Sequence, residues 1–240
     1  MTWNARLAML TVLIAAFSSG CGGDSKQPST PTAAQPDPAA LAQKAAGRVA
    51  SLKSFHFVIE HENGTTPIAF DLAMKRAEGD MVPPDRLRAD IEAKATKLGG
   101  LTVKVQAISV GDRAEVTNPF DRTTWVPLPG KNPLASIFDP ARGTAAALRN
   151  VRNPRITGQD EIGGVATWKI EGEIDAGELE AFVPLAETGR VVKAVAWVGK
   201  NDPLVYRIRL EGAFGPDDSG NIVRKVELSR FDEPVTIEPR

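Results

Sequence analysis

The sequence has one cysteine, two histidines and one tyrosine in 240 residues, and aromatic residues make up 6% of it. A lone cysteine excludes an intrachain disulfide framework and a cysteine-cluster metal centre. The histidines, His56 and His61, fall five apart in one predicted strand. They point to opposite faces and cannot share a metal without a bulge. An excess of one charge is also missing: 29 Lys+Arg stand against 30 Asp+Glu, for a net −1. Nothing is left over to neutralise a phosphate backbone, so nucleic acid is excluded as a partner. No GxSxG elbow, HExxH, Walker loop or GxGxxG following a strand occurs. The chain is therefore read as a non-enzyme without metal or cofactor. Its 42% hydrophobic and 25% charged residues are ordinary globular values, which rules out wholesale disorder and a multi-spanning membrane protein.

What is present begins at the N-terminus. Arg6 precedes an apolar run from Leu7 to Phe17, then Ser18, Ser19, Gly20 and Cys21. A positive residue, a short apolar run and small residues before a cut describe a secretory signal over residues 1–20. The run is too short to span a bilayer, which takes about 20 residues. Cys21 stands where bacterial lipoproteins carry their acylated cysteine, with Ser18 where Leu is usual. A triacylated Cys21 would anchor the chain stably at the extracytoplasmic face of the cell membrane, since two or more acyl chains hold where one does not. Residues 21–37 are rich in Pro, Ser, Thr, Gly and Gln and read as a disordered spacer.

One folded domain is expected over residues 38–240. Asp37-Pro38 opens a helix predicted to run to Lys53, with Leu41, Ala45, Val49 and Leu52 on one face. The period then changes to two. Half-buried antiparallel strands are predicted at 55–60, 68–75, 86–94, 101–107, 113–117, 124–126, 156–161, 166–174, 191–198, 204–212 and 222–231. Short helices are expected at 132–138, 139–150 and 175–182. Four short helices cannot make βαβ units from eleven strands. The predicted fold is α+β: one large curled antiparallel sheet, a half β-barrel of about eleven strands, with short helices on its concave face.

The large apolar residues Phe55, Phe57, Phe70, Met74, Ile91, Val105, Trp125, Phe138, Phe182 and Tyr206 fall on apolar strand faces or helices. They are the candidate walls of a hydrophobic cavity, or equally a filled core, because both need one buried face. Arg149, Arg152 and Arg155 flank a predicted helix C-terminus and are candidates for helix-end cations or for contact with an anionic head group. Glu171 and Glu173 share a polar strand face. Asp217-Asp218-Ser219-Gly220-Asn221 lacks the ligand spacing of a calcium loop and reads as a hairpin connection.

Several segments resemble the LppX/LprAFG family of mycobacterial lipoproteins. They are Phe138-Asp139-Pro140-Ala141-Arg142-Gly143, the run from Gly158 to Gly172, Ala196-Trp197-Val198 with Asp202-Pro203-Leu204-Val205, and the tail Phe231 to Pro239. The resemblance covers the chain from Pro38 onward and implies a half-barrel shared with the lipoprotein-localisation carriers of Gram-negative bacteria. It further implies a carrier of lipids or acylated glycolipids, some members of the family working beside an export pump, with Cys21 the one functional residue that transfers. A monomer is expected. The alternative is an envelope protein–protein or sensor module on the same fold, for which the cavity should be small or closed.

Overall fold

The computed structural model describes residues 35–121, 123–128, 143–181 and 186–240. The expectations for the signal, Cys21, most of the spacer, Phe138, Phe182, the helix at 132–138 and the start of the helix at 139 lie outside them. Gln35–Arg240 forms one compact unit that holds the whole sheet and its core, and so contains what it needs to fold by itself.

Helix α1 spans Pro38–Ala50. Asp37 caps it, its carboxylate accepting from the Ala40 N–H at 2.7 Å, and Pro38 occupies the first position, where its missing N–H costs nothing. The helix stops three residues short of the predicted end. The Ser51 hydroxyl donates to the Arg48 carbonyl at 2.9 Å and closes the last turn.

The strands are β1 (Phe55–Asn63), β2 (Thr66–Ile68), β3 (Leu72–Val82), β4 (Arg86–Ala95), β5 (Leu101–Val110), β6 (Arg113–Thr117), β7 (Trp125–Pro127), β8 (Arg152–Ile162), β9 (Val165–Asp175), β10 (Val191–Gly199), β11 (Val205–Glu211) and β12 (Val223–Ser229). They form one open antiparallel sheet in the order β7-β6-β5-β4-β3-β1-β12-β11-β10-β9-β8, with β2 beside β3. Two meanders thus meet where β1 pairs with β12, from His56↔Ser229 to Asn63↔Val223. Alternation holds along β1, β4 and β5, each burying every second residue. The connection from β7 to β8 must pass from one edge of the sheet to the other, and it contains helix α2 (Thr144–Arg149). A core shared by α1, α2 and both meanders fills the concave side.

Two expectations need correction. The strand predicted at 68–75 is interrupted. Phe70 and Asp71 adopt left-handed backbone angles, φ 62° and 55°, in a turn between β2 and β3. Thr96 holds that turn, donating its N–H and hydroxyl to the Asp71 carbonyl. Phe70 is 47% exposed and does not lie on the apolar strand face assigned to it. The phase of β3 shifts again at a bulge between Met74 and Arg76, which leaves Met74 half-buried. The helix expected at 175–182 is, in its described part, a 3-10 turn over Ala176–Leu179. Asp175 caps it by accepting from the Gly177 N–H at 3.0 Å.

The two histidines do take opposite faces. His56 lies on the outer side with Asp80 at 2.9 Å, whereas His61 is buried. His61 sits in a relay on the inner side. Its Nδ1 lies 3.1 Å from the Lys75 carbonyl and its Nε2 2.7 Å from Thr66 Oγ1, and Arg224 Nε donates to the same oxygen at 2.9 Å. Arg224 in turn binds both oxygens of Asp218 and lies over the Phe214 ring, 4.2 Å from its centroid. A neutral imidazole donating from Nδ1 and accepting at Nε2 satisfies every partner. Burial, reinforced by the charges of Arg224 and Lys75, pushes the His61 pKa down from 6.5 to about 4.

A depressed histidine pKa means that the unfolded chain binds the proton first. Stability is then full above pH 6.5 and falls as pH drops toward 4, by on the order of 3 kcal/mol at the lower end. Thermal melts between pH 7 and 4.5 should show the melting temperature falling for the native sequence and nearly level for His61→Gln. Equal slopes for the two proteins would remove His61 as the cause.

Candidate functional site

The concave side carries the candidate site. α1 turns Leu41, Ala42, Ala45, Ala46 and Val49 toward the sheet, and α2 turns in Thr144 through Leu148. The two helices are tied together by Gln43, whose side-chain amide donates to the Arg149 carbonyl at 3.1 Å. α2 is held further by Asn150, which donates to Glu178 at 2.6 Å. α1 is anchored more firmly, through Arg48 to Asp202 at 3.3 Å and to Asp232 at 3.0 Å.

Between these helices and β9–β12 lies an apolar cavity of about 30 Å³. Its wall is built largely from small or branched residues: Ala42 and Ala147 of the helices, Ala194 and Ala196 of β10, and Ile170, Ile208 and Leu210 of the neighbouring strands. Alanines facing inward from both layers leave the gap, because neither layer has the bulk to fill it. A void of this size holds about two water-sized groups, far below the roughly 300–1,000 Å³ of a ligand pocket. As it stands, this gap is too small to take an acyl chain.

Eight of the ten candidate wall residues fall in the described part of the chain, and none of the eight borders this small cavity. Phe55, Phe57, Ile91 and Val105 are buried in β1, β4 and β5, where they pack as filled core. Met74 is half-buried beside them. Trp125 sits on the short edge strand β7 under the guanidinium of Arg240, 4.4 Å from its ring centroid. Tyr206 is half-buried and meets Phe231 edge-on at 5.3 Å. None of these, nor Phe70, lines the cavity. Sequence reasoning favoured bulk; the signal it passed over was the pair of inward alanines, Ala194 and Ala196, one period apart on β10.

Arg224 stands beside this wall. It is paired across the sheet with Leu210 and lies two residues from Val226, both of them wall residues. Its Nη1 is a buried side-chain nitrogen without a hydrogen-bond partner. Asp218, offered by sequence only as part of a hairpin connection, is the buried counter-ion of this guanidinium.

A second depression, a trough of about 640 Å³, lies on the outer face of β8–β11. Arg155, Lys169, Glu171, Glu173, Lys193, Arg209 and Glu211 line it. Its charges largely pair with each other, Lys169 with Glu171 at 2.6 Å and Arg209 with Glu211 at 2.7 Å. The side-chain bond from Lys169 holds the Glu171 carboxyl below its usual pKa. Glu171 and Glu173 thus lie on the solvent face, as expected. Arg152 pairs with Asp175 at 3.5 Å, and Arg149 ends α2. Among the described residues no three His, Cys, Asp or Glu side chains converge as a metal-ligand set, and no helix is long and apolar enough to cross a membrane.

The LppX_LprAFG lipoprotein family matches the chain over residues 37–237. LprF of Mycobacterium tuberculosis, provisionally named a diacylated glycolipid transporter, is 26% identical over 247 residues, covering 96% of this chain and 89% of that protein. LprG of Mycobacterium leprae, named a lipoarabinomannan carrier protein, is 26% identical over 235 residues, covering 97% of this chain and 93% of its own. The crystal structure of LprF from Mycobacterium bovis shares the fold with a TM-score of 0.67 at 23% identity, over 85% of this chain and 97% of that one. That of LppX from M. tuberculosis does so with a TM-score of 0.60 at 22% identity, over 85% and 100%.

The small wall residues yield a packing test. Ala196→Val adds two methyl groups toward the cavity and should cost under about 1 kcal/mol. Ala93→Val, on β4 with Ala93 fully buried, should cost about 1–3 kcal/mol through overpacking. Urea denaturation of both variants decides, and equal losses would mean that the cavity has no room to give.

Proposed function

The chain belongs to the LppX_LprAFG lipoprotein family, and from that premise we propose that it is a membrane-anchored carrier of lipid or acylated glycolipid. The cargo's acyl chains lie between the helix layer and the sheet. Cys21, acylated, holds the protein at the extracytoplasmic face of the cell membrane. The domain acts as a monomer, without cofactor and without covalent chemistry.

One observation carries the reading. Beside the Arg224–Asp218 pair the concave face over β9–β12 is apolar, and the helix covering it is short. α2 has six residues, Gly143 at its N-cap without a side-chain bond, and alanine at three of its buried positions. Lifting it uncovers Leu148, three alanines and the sheet residues beneath them, chiefly Ile170, Ile208 and Leu210, a cost that an entering acyl chain offsets by covering the same surface. A 16-carbon acyl chain entering the space gains on the order of 12 kcal/mol before entropic costs. The balance favours opening once cargo is at hand and closure without it. An oxygen at the polar end of such a cargo would meet Arg224 Nη1, which has no other partner. The names of LprF and LprG, a glycolipid transporter and a lipoarabinomannan carrier, support the same reading.

The second reading, a partner-binding module, has the small size of the cavity, about 30 Å³, in its favour. Native mass spectrometry of Gln35–Arg240, purified from a lipid-containing host, separates the two. The carrier should fly with an adduct of lipid mass that is lost on denaturation. Ala196→Phe, which fills the cavity, should lower adduct occupancy severalfold while circular dichroism stays unchanged. A bare mass that persists after incubation with host lipids would transfer the assignment to the partner-binding module.

A further inference from the structure

Five large apolar side chains are exposed among the described residues: Phe70, Leu98, Leu101, Phe120 and Val191. The strand register puts all five at one end of the half-barrel. Leu72↔Ala95 and Ala95↔Leu101 set the β2–β3 and β4–β5 turns side by side. Lys97 reaching Asp71 at 2.8 Å ties the two turns together. β6 runs back toward this end from its pairing with β5, which delivers Phe120 in the loop that follows. Across the other meander, Asn63↔Val223, Val223↔Glu211 and Glu211↔Lys193 carry the same end to β10, and Val191 is the first residue of that strand. The opposite end, with turns at 83–85, 111–112, 163–164 and 200–204, has no exposed large apolar residue among those described.

We propose that this end is a rim that docks on a lipid bilayer. It also faces the cavity, whose wall includes Ile174, Leu179 and Leu210 at the same end of β9–β11. The proposal deepens the carrier reading by giving the cargo a source, and its test is built to fail separately.

The shape of the rim favours a bilayer over a protein. The apolar groups sit on separate hairpin tips and loops, not on one continuous face, and a protein partner needs roughly 1,000 Å² of complementary surface. A bilayer accepts single side chains, each inserted on its own. Leu98 stands beside Gly99 and Gly100, at φ 65° and 80°, where an added Cβ would meet no atom within 4 Å, so this tip projects freely. Phe70 keeps a left-handed backbone that bulky residues avoid, with its ring toward solvent; core packing does not require that arrangement.

The charge beside the rim is mixed. Lys94 and Lys104 are exposed on β4 and β5 and have no ion pair among the described residues. Of the acids nearby, Asp71 is paired with Lys97, Glu92 sits opposite Lys104, and Asp121 keeps its charge while accepting from Thr123 and Thr124, so attraction to an anionic surface is secondary to the apolar contacts. Basic side chains next to inserted apolar ones add attraction to anionic head groups. Gln35, where the described chain begins, lies against Ile156, four residues or about 13 Å of strand from the rim end of β8, so the chain enters the fold near the rim.

Gln35–Arg240, which lacks Cys21 and so any acyl anchor, should co-sediment with vesicles of equimolar phosphatidylcholine and phosphatidylglycerol, and more weakly with phosphatidylcholine alone. Leu98→Ser/Phe120→Ser should lower its partition about tenfold with an unchanged melting temperature. Because this unit has no native cysteine, a polarity-sensitive dye on Leu98→Cys should shift to the blue on those vesicles, while the same dye on Asp112→Cys, at the far end, should not. No sedimentation of the native unit, an unaffected double variant, or equal dye shifts at the two positions would overturn the proposal. If the lipid adduct is present and docking absent, the rim falls and the carrier stands; docking without an adduct supports the rim and removes the carrier.

Discussion

Twelve strands with one apolar face cannot leave that face in water. Burial at roughly 25 cal/mol per Å² makes its exposure the largest single penalty this chain could incur, and most of the architecture answers it. The sheet curls, the helix before β1 folds back over it, and α2, from the connection between the meanders, lies across it. The pairing of β1 with β12 makes this arrangement obligatory. With the first and last strands at the centre, β7 and β8 become opposite edges, and the chain between them has to pass from one edge to the other.

That crossing explains why coverage and access fall to one element. α1 is continuous with β1 and bolted by Arg48 to Asp202 and Asp232. α2 is tied through the Gln43 and Asn150 side chains, and it presents three alanines and Leu148 where α1 presents Leu41 and Val49. The two halves of the core differ in kind as a result. Phe55, Phe57 and Met81 fill the centre beside β3 and β4, whereas Ala194 and Ala196 leave β10 thinly covered. A filled half gives rigidity, and an under-filled half keeps the interior convertible.

Much of this was legible in the residues. Asp37-Pro38 marked a helix start, and strict alternation along β1, β4 and β5 marked strands, because each signal has a local physical cause. The β2–β3 turn was hidden. Ile68, Phe70, Leu72 and Met74 continue a period of two straight through it, and no Gly or Pro announces the reversal at Phe70 and Asp71. The cavity was hidden for another reason. Alternation tells which way a side chain faces, not whether the opposing layer is large enough to meet it. At this cavity the space comes from the deficit of bulk at Ala42, Ala147, Ala194 and Ala196, which a count of large apolar residues does not reveal. The relay of His61, Thr66, Arg224 and Asp218 could not be read at all, since it joins β1, β2, β12 and the loop before β12.

The two free edges have a consequence of another kind. An open sheet offers unpaired N–H and C=O groups at both borders, a template on which further copies could stack strand to strand. β7 is only three residues long and ends in Pro127. β8 is eleven residues long, but it carries Pro154, two breaks in register against β9, and the Gln35 amide on the Ile156 carbonyl. Neither border can seed a growing fibril by simple extension. In the proposed carrier, where α2 would lift to admit cargo, these breaks protect the uncovered interior from polymerising strand to strand.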